Sequence, residues 1–203
     1  VKCYAEDVPE GYNIFYEVST DMIILVPATA LEEYQSSSPW NEYNLIAMPE
    51  DGEPYIGNYV EIDYDDYSLI YITTSVSPAE CMVKCGKKPT KPTTITIPST
   101  VEIEGFEYSV TSIGDRAFYQ CYENLISIEI PSSITSIGYG AFADCYKLTS
   151  IEIPSSVTSI GERAFSSCSS LTSIEIPSSV TSIGERAFAY CNALSVIKCY
   201  AED

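Results

Sequence analysis

The side chains that could do chemistry in this chain are few in kind. Its 203 residues include no histidine, which removes the commonest general base and the commonest transition-metal ligand. What remains is a set of 8 cysteines, a run of carboxylates at Asp63, Asp65 and Asp66, and many serines. A serine nucleophile needs an activating base beside its hydroxyl, and none stands in a fixed relation to these serines. Ser155 and Ser156 recur as Ser178 and Ser179, and catalytic residues do not recur in every copy of a repeat. Cys81 and Cys85 lack the second ligand pair of a zinc site. The three aspartates could offer oxygens to calcium, but the glycine and terminal glutamate of a calcium loop are missing. They read as an acidic turn ahead of a strand at 68–73. No phosphate-cradling G-x-x-x-x-G-K or G-x-G-x-x-G segment occurs. These residues predict no catalytic, cofactor or metal site, and no enzyme.

The elements that carry these side chains repeat. Ile-Pro-Ser-Ser-Val-Thr-Ser-Ile-Gly-Glu-Arg-Ala-Phe stands at 153–165 and again, unchanged, at 176–188, with looser copies at 130–142 and 97–118. Pro131, Pro154 and Pro177 are 23 apart, as are Phe142, Phe165 and Phe188. A period in this range marks a leucine-rich-repeat solenoid, a stack of coils that contact only their neighbours. Within one coil, Leu171, Ile174 and Ile176 fit a strand whose alternate side chains face inward. Pro177 cannot donate a ladder hydrogen bond and should stop that strand. The segment 180–183 reads as a second short extended piece, and Gly184 suits a sharply turning backbone. Ala187, Phe188, Cys191 and Leu194 fall on one face of a short helix. The predicted fold is therefore a right-handed solenoid of short parallel strands with a short helix in each 23-residue coil. Its repeating core is Phe118, Phe142, Phe165 and Phe188 with Cys121, Cys145, Cys168 and Cys191. An insertion at 102–108 enlarges the first coil and is expected as a loop.

Three columns follow from stacking. The four repeat cysteines share one inward position, with side chains running parallel, a poor geometry for disulfides. They and the remaining cysteines are expected as free thiols. Cys81 and Cys85 would lie about 13 Å apart along one strand, too far to bond each other. Outward on the main strands stand Ser127, Glu129, Ser150, Glu152, Ser173 and Glu175. This is a polar stripe fit to dock a cationic protein segment or a sugar, and also what a merely solvated face would show. Asp115-Arg116, Glu162-Arg163 and Glu185-Arg186 open the next segment of their coils, placing the acid of one coil to meet the base of another.

The phrase I-P-S-S-V-T-S-I-G-E-R-A-F-x-x-C-x-x-L resembles the BspA-like class of leucine-rich repeats, surface and secreted proteins of bacteria and some protists. The resemblance covers 93–194. It extends more loosely to the first fifty residues, where 22–27, an acidic helical stretch at 30–35 and 39–46 look like the α+β segment that closes such arrays. It implies an extracellular or cell-surface adhesion module that binds a protein ligand, such as a host matrix protein. The expected organisation is a cap-like segment at 1–50, an acidic lead-in with short strands at 51–92, and the array at 93–203. A closing segment ahead of its array is an unusual order. Val1-Lys-Cys-Tyr-Ala-Glu-Asp returns as Ile197-Lys-Cys-Tyr-Ala-Glu-Asp, so the chain reads as a window on a longer tandem protein. The rival expectation is a structural subunit that assembles head-to-tail into filaments, the first fifty residues of one copy covering the last coil of another.

Charge narrows the partners. The net charge is −19, whereas nucleic acid and anionic membrane surfaces call for a basic footprint. No lysine or arginine occurs between Lys2 and Lys84, concentrating the acidity in the first half. Tyrosine is frequent there too, 10 of the 17 lying before Ile72, chiefly for packing. No apolar run approaches the length of a membrane span.

Overall fold

A computed structural model of the chain describes residues 23–26, 30–36, 44–47, 56–121 and 124–200. The chain divides into two compact units, Val1–Gly57 and Asn58–Asp203. In the first, strand β1 (Ile23–Val26) pairs in parallel with β2 (Asn44–Ala47), and helix α1 (Leu31–Ser36) lies between them in sequence. A helical crossover is what parallel neighbours require. Glu32 and Glu33 sit in the first turn of α1, where the dipole favours acid. Tyr34 is fully buried. The heptad at 1–7 and Trp40, on which the head-to-tail expectation leans, lie outside the described residues.

The second unit begins with an antiparallel meander. Strands β3 (Tyr59–Tyr64) and β4 (Tyr67–Val76) join through Asp65-Asp66, with Asp65 at φ 41°, and β5 (Ala79–Cys85) follows. The Tyr-Val-Glu-Ile-Asp-Tyr alternation of β3 leaves every second side chain more exposed. Asp66 anchors this turn to the segment that follows the meander. Its carboxylate accepts from Thr90 N at 3.2 Å, Thr90 Oγ1 at 2.5 Å, Lys91 N at 3.2 Å and Thr93 Oγ1 at 3.2 Å.

Beyond it the coils stack through two rows of parallel strands. Strands β6 (Thr93–Thr96), β9 (Leu125–Glu129) and β11 (Ser150–Ile151) are parallel neighbours, and β13 (Ser173–Ile176) pairs in parallel with β15 (Val196–Cys199). The second extended pieces are β8 (Phe106–Ile113), β10 (Ser136–Ile137), β12 (Ser159–Ile160) and β14 (Ser182–Ile183). They pair in parallel, Ser112, Ser136, Ser159 and Ser182 in register. β5 pairs with β8, so the lead-in meander extends the array's own sheet. The insertion at 102–108 is no loop: β7 (Thr100–Ile103) and β8 form an antiparallel hairpin around Glu104-Gly105. Both turn residues have positive φ, 52° and 85°. This is the backbone a two-residue hairpin needs, and alternating Val101, Ile103, Tyr108 and Val110 bury one face.

One coil shows where the core comes from. Leu148, Ile151, Ile153, Val157, Ile160, Ala164, Phe165 and Cys168 are all buried, as their inward positions predict. The phenylalanines form a ladder, with ring centroids 5.2 Å apart from Phe118 to Phe142, 5.2 Å to Phe165 and 5.4 Å to Phe188. Interplanar angles are 8° or less. Each fully buried ring contributes about 1.5–3 kcal/mol by burial, and each stacked pair about 0.5–1.5 kcal/mol more. Side chains add rungs. Ser133, Ser156 and Ser179, the second serine of each Pro-Ser-Ser, donate to Val110, Ile134 and Val157 carbonyls at 2.6–2.8 Å.

The expected helix in each coil is replaced by a run of turns. In 163–168, Arg163, Phe165 and Ser167 donate their amides to Glu185, Ala187 and Ala189 of the next coil at 2.7–3.0 Å. The alternate amides of Ala164, Ser166 and Cys168 close i−3 turns at 3.0–3.3 Å. Arg163 and Ser167 lie at φ 55° and 63°, the left-handed region that an α-helix excludes. Those residues rotate every second N–H to point along the stack, so the segment bonds to its neighbours instead of to itself. Among the described residues helix occurs only in the first unit. Gly184, expected as a sharp-turn residue, and its counterparts Gly138 and Gly161 have no left-handed φ. Close approach explains them: a Cβ on Gly161 would lie 2.6 Å from the Gly138 carbonyl carbon and oxygen.

Candidate binding face

The polar stripe stands on the outward side of the main strands. Ile128, Ile151 and Ile174 point into the core and leave their neighbours Ser127, Glu129, Ser150, Glu152, Ser173 and Glu175 toward solvent. Strand register stacks Thr94 on Ser127 and Ser127 on Ser150, and sets Thr96 opposite Glu129 and Glu175 opposite Lys198. The two ends of the glutamate column are partnered. Thr96 Oγ1 donates to Glu129 Oε2 at 2.8 Å, while Thr94 Oγ1 and Ser127 Oγ lie 2.7 Å apart. Lys198 Nζ sits 2.5 Å from Glu175 Oε1, and Tyr200 OH donates to Glu175 Oε2 at 3.3 Å. The Lys198 ammonium, by hydrogen bond and then by charge, holds the Glu175 carboxyl below its ordinary value. Glu152, between them, has no hydrogen bond or ion pair among the described residues.

A groove of about 670 Å³ opens over this middle. Ser127, Glu129, Ser150 and Glu152 line it, together with Ser132 and Ser155. The structure thus brings four of the six stripe residues into one site and leaves Ser173 and Glu175 outside it. Ser132 and Ser155 were missed as site residues. Their signal lies in the Pro-Ser-Ser triplet: the second serine bonds to the previous coil, which frees the first to face the groove. The floor, Ile128, Ile130, Ile151 and Pro154, is apolar. Carboxylates and hydroxyls above an apolar floor can seat a cationic, partly aliphatic side chain. No group of histidine, cysteine or carboxylate side chains that could hold a metal occurs among the described residues.

The thiol column is a packing device. Cys121, Cys145 and Cys168 are buried and Cys191 half-buried, all unpaired. Cys145, Cys168 and Cys191 point their Sγ at the Phe118, Phe142 and Phe165 carbonyls of the preceding coil, at 3.1, 3.3 and 3.0 Å. Burial pushes the Cys145 thiol up to about 12 and the Cys168 thiol well above its ordinary value. One contact was hidden in the sequence. Cys85 N donates to the Ala117 carbonyl at 2.8 Å, which sets the end of β5 against the first turn segment and its thiol against Cys121. The neighbouring Cys121 thiol lowers the Cys85 thiol and is itself raised. The acid–base column also differs from expectation: Arg163 pairs with Glu162 of its own coil at 3.6 Å, and Arg186 with Glu185 at 3.3 Å. Both pairs are solvent-exposed and worth about 0–1 kcal/mol.

Comparison with known proteins places these features. The BspA type leucine rich repeat region is matched by residues 87–202 in six copies, rather than the four that spacing alone shows. The chain is similar to a leucine-rich repeat protein from Bacteroides capillosus, at 29% identity over 69% of this chain and 98% of that one, TM-score 0.57. It is similar in fold to the pneumococcal vaccine antigen PcpA, at 22% identity over 72% of this chain and 39% of that one, TM-score 0.51. A leucine rich cell surface protein from Faecalibacterium prausnitzii shares 25% identity over 70% of this chain and 55% of that one, TM-score 0.43. The chain therefore spans 39% and 55% of the last two proteins. No curated protein matches it.

Proposed function

The chain belongs to the BspA-type leucine-rich-repeat family, and from that premise we propose that it is a non-enzymatic, extracellular or cell-surface adhesion module that captures a protein ligand on the groove between Glu129 and Glu152. Solenoids present extended surfaces to partners, and this one presents hydroxyls and carboxylates over an apolar floor. The observation that carries the reading is Lys198 on Glu175 at 2.5 Å, with Tyr200 beside it. The column accepts a lysine of this chain at its end, and Glu152 offers the same carboxylate without an occupant. The ligand is a basic segment of a matrix or cell-surface protein. No helix among the described residues is long and apolar enough to cross a membrane.

The test is capture of immobilised matrix proteins and of a lysine-rich peptide by the wild type and by Glu129→Lys/Glu152→Lys. Capture should weaken as salt rises, because exposed charges are screened over about 8–10 Å, and the double reversal should abolish it. Salt-insensitive capture that survives the reversal would remove the groove from function. A second reading is head-to-tail assembly, in which another copy of the chain covers apolar side chains of the coil at 173–199. Ile183, Val196 and Ile197 are 46%, 43% and 49% exposed. Sedimentation separates the two readings: a species whose mass does not grow with concentration excludes assembly and leaves capture standing.

A further inference from the structure

The turn face of the array carries a second concavity of opposite character. Three coils open this segment with an acid and an arginine: Asp115-Arg116, Glu162-Arg163 and Glu185-Arg186. The coil between the first two has Tyr139-Gly140 instead. Both charges are lost at once, and Gly140, buried at φ 54°, leaves the space of its missing side chain open. A Cβ there would meet nothing closer than Arg116 Cγ at 3.7 Å and Ala143 Cβ at 3.8 Å. The result is a cleft of about 300 Å³ between the arginines of the coils before and after.

Its walls are prepared for a ligand. The Arg116 guanidinium lies 5.4 Å from the Tyr139 ring and 5.9 Å from the Tyr119 ring, so both aromatic faces help hold it. It has no carboxylate within salt-bridge distance among the described residues, because its neighbour Asp115 accepts the Tyr139 amide at 2.7 Å. Arg163 donates from Nη1 to the Tyr139 hydroxyl at 3.2 Å, and only its Nε side meets Glu162, at 3.6 Å. Arg163, and then Arg116, hold the Tyr139 phenol below its ordinary value, as a locally positive site should. In a chain of net charge −19 this is a local inversion. Asp144 and Ser166 complete the rim, adding an acceptor and a hydroxyl.

We propose that the cleft of Arg116, Tyr119, Tyr139 and Arg163 binds a carboxylated sugar. Guanidinium forks match a carboxylate in plane and charge. The Tyr119 and Tyr139 rings that hold Arg116 add apolar wall to the cleft, fit for the C–H side of a pyranose, and Asp144 and Ser166 offer partners for its hydroxyls. The Asp144 carboxylate disfavours a densely charged polyanion and suits a ligand with one charge and several hydroxyls. This site is independent of the glutamate groove, and the two can operate together on a glycosylated partner.

The experiment is an amide NMR titration of the full chain with D-glucuronate, N-acetylneuraminate, D-glucose and inorganic phosphate. At least one carboxylated sugar should shift the Gly140 and Ser166 amides saturably, at least about tenfold more tightly than glucose or phosphate, as loss of a charge-assisted contact implies. Arg116→Gln and Arg163→Gln should each weaken it about tenfold. Arg116→Lys, which keeps the charge but loses the planar fork, should recover only part. Both arginines are surface side chains, and unchanged spectra elsewhere will show that the variants fold. No saturable shift with either carboxylated sugar up to tens of millimolar overturns the proposal. So does phosphate binding as tightly as sugar, which would mark a simple anion site, and so does indifference to both glutamine variants.

Discussion

Replacing Gly161 by alanine tests the stack at its narrowest point. The new Cβ would lie 2.6 Å from the Gly138 carbonyl carbon and oxygen and 2.7 Å from the Tyr139 amide nitrogen. All of these are backbone atoms, which cannot rotate aside as a side chain does. Recovering the 3.4 Å of ordinary contact would push the two coils apart by about 0.8 Å at this point. Overpacking of this kind costs about 1–3 kcal/mol. The bonds flanking it, Gly161 N to Ile137 O at 2.8 Å and Gly140 N to Glu162 O at 2.9 Å, would lengthen, at about 1 kcal/mol each. The expected loss is about 3–5 kcal/mol, read as a shift of the urea midpoint at unchanged slope. Gly140→Ala is the matched control. It meets nothing closer than 3.7 Å but stands at φ 54°, so only left-handed strain of about 1–2 kcal/mol applies. If Gly161→Ala lost no more than Gly140→Ala, close approach of the coils would not be the reason for the glycine.

Thiol labelling at pH 8 of a Cys3→Ser variant should modify Cys85 and Cys199 quickly. Cys85 is half-exposed with a lowered thiol and Cys199 is exposed, whereas Cys81 and Cys145 are buried and pushed up to about 12. Peptide mapping that found Cys145 or Cys168 modified at the same rate before unfolding would contradict the inward column. Asp66, held below its ordinary 3.8 first by the Thr90 hydroxyl, stabilises the fold fully above its unfolded pKa and loses that contribution as pH falls through the folded value. Asp66→Ala should therefore melt below the wild type at pH 7, and the gap should close as pH falls below the ordinary value of 3.8 and through the lowered folded one; a gap independent of pH would mean the carboxylate charge is not what holds 90–93.

Much of the array is legible because its periodicity is written in side-chain type. Ile174 and Ile176 alternate as a strand must, and Pro177 ends the strand. Phe165 and Cys168 fall at fixed offsets, so the core of each coil and the exposure of Glu129, Glu152 and Glu175 follow from the 23-residue spacing. The segment Glu162-Arg163-Ala164-Phe165 is made of residues compatible with a helix. In isolation they would favour i−4 bonds, and nothing local distinguishes the alternatives.

The neighbouring coil decides. It offers a row of carbonyls one coil away, and left-handed Arg163 and Ser167 turn alternate amides to meet them; the strain at those residues is offset by bonds that exist only once coils are stacked. The same holds for the glycines: Gly161 looks like a turn residue in one dimension, but the reason for it is the Gly138 backbone, 23 residues away in sequence and adjacent in space. The sites divide likewise. Which residues face outward is a property of strand alternation and can be read from one coil. That Ser132 and Ser155 join the groove, that Lys198 seats on Glu175, and that Tyr139-Gly140 opens a cleft between two arginines are properties of the stack. They depend on which residue of one coil lies over which residue of the next, a register set by packing and hydrogen bonds between coils.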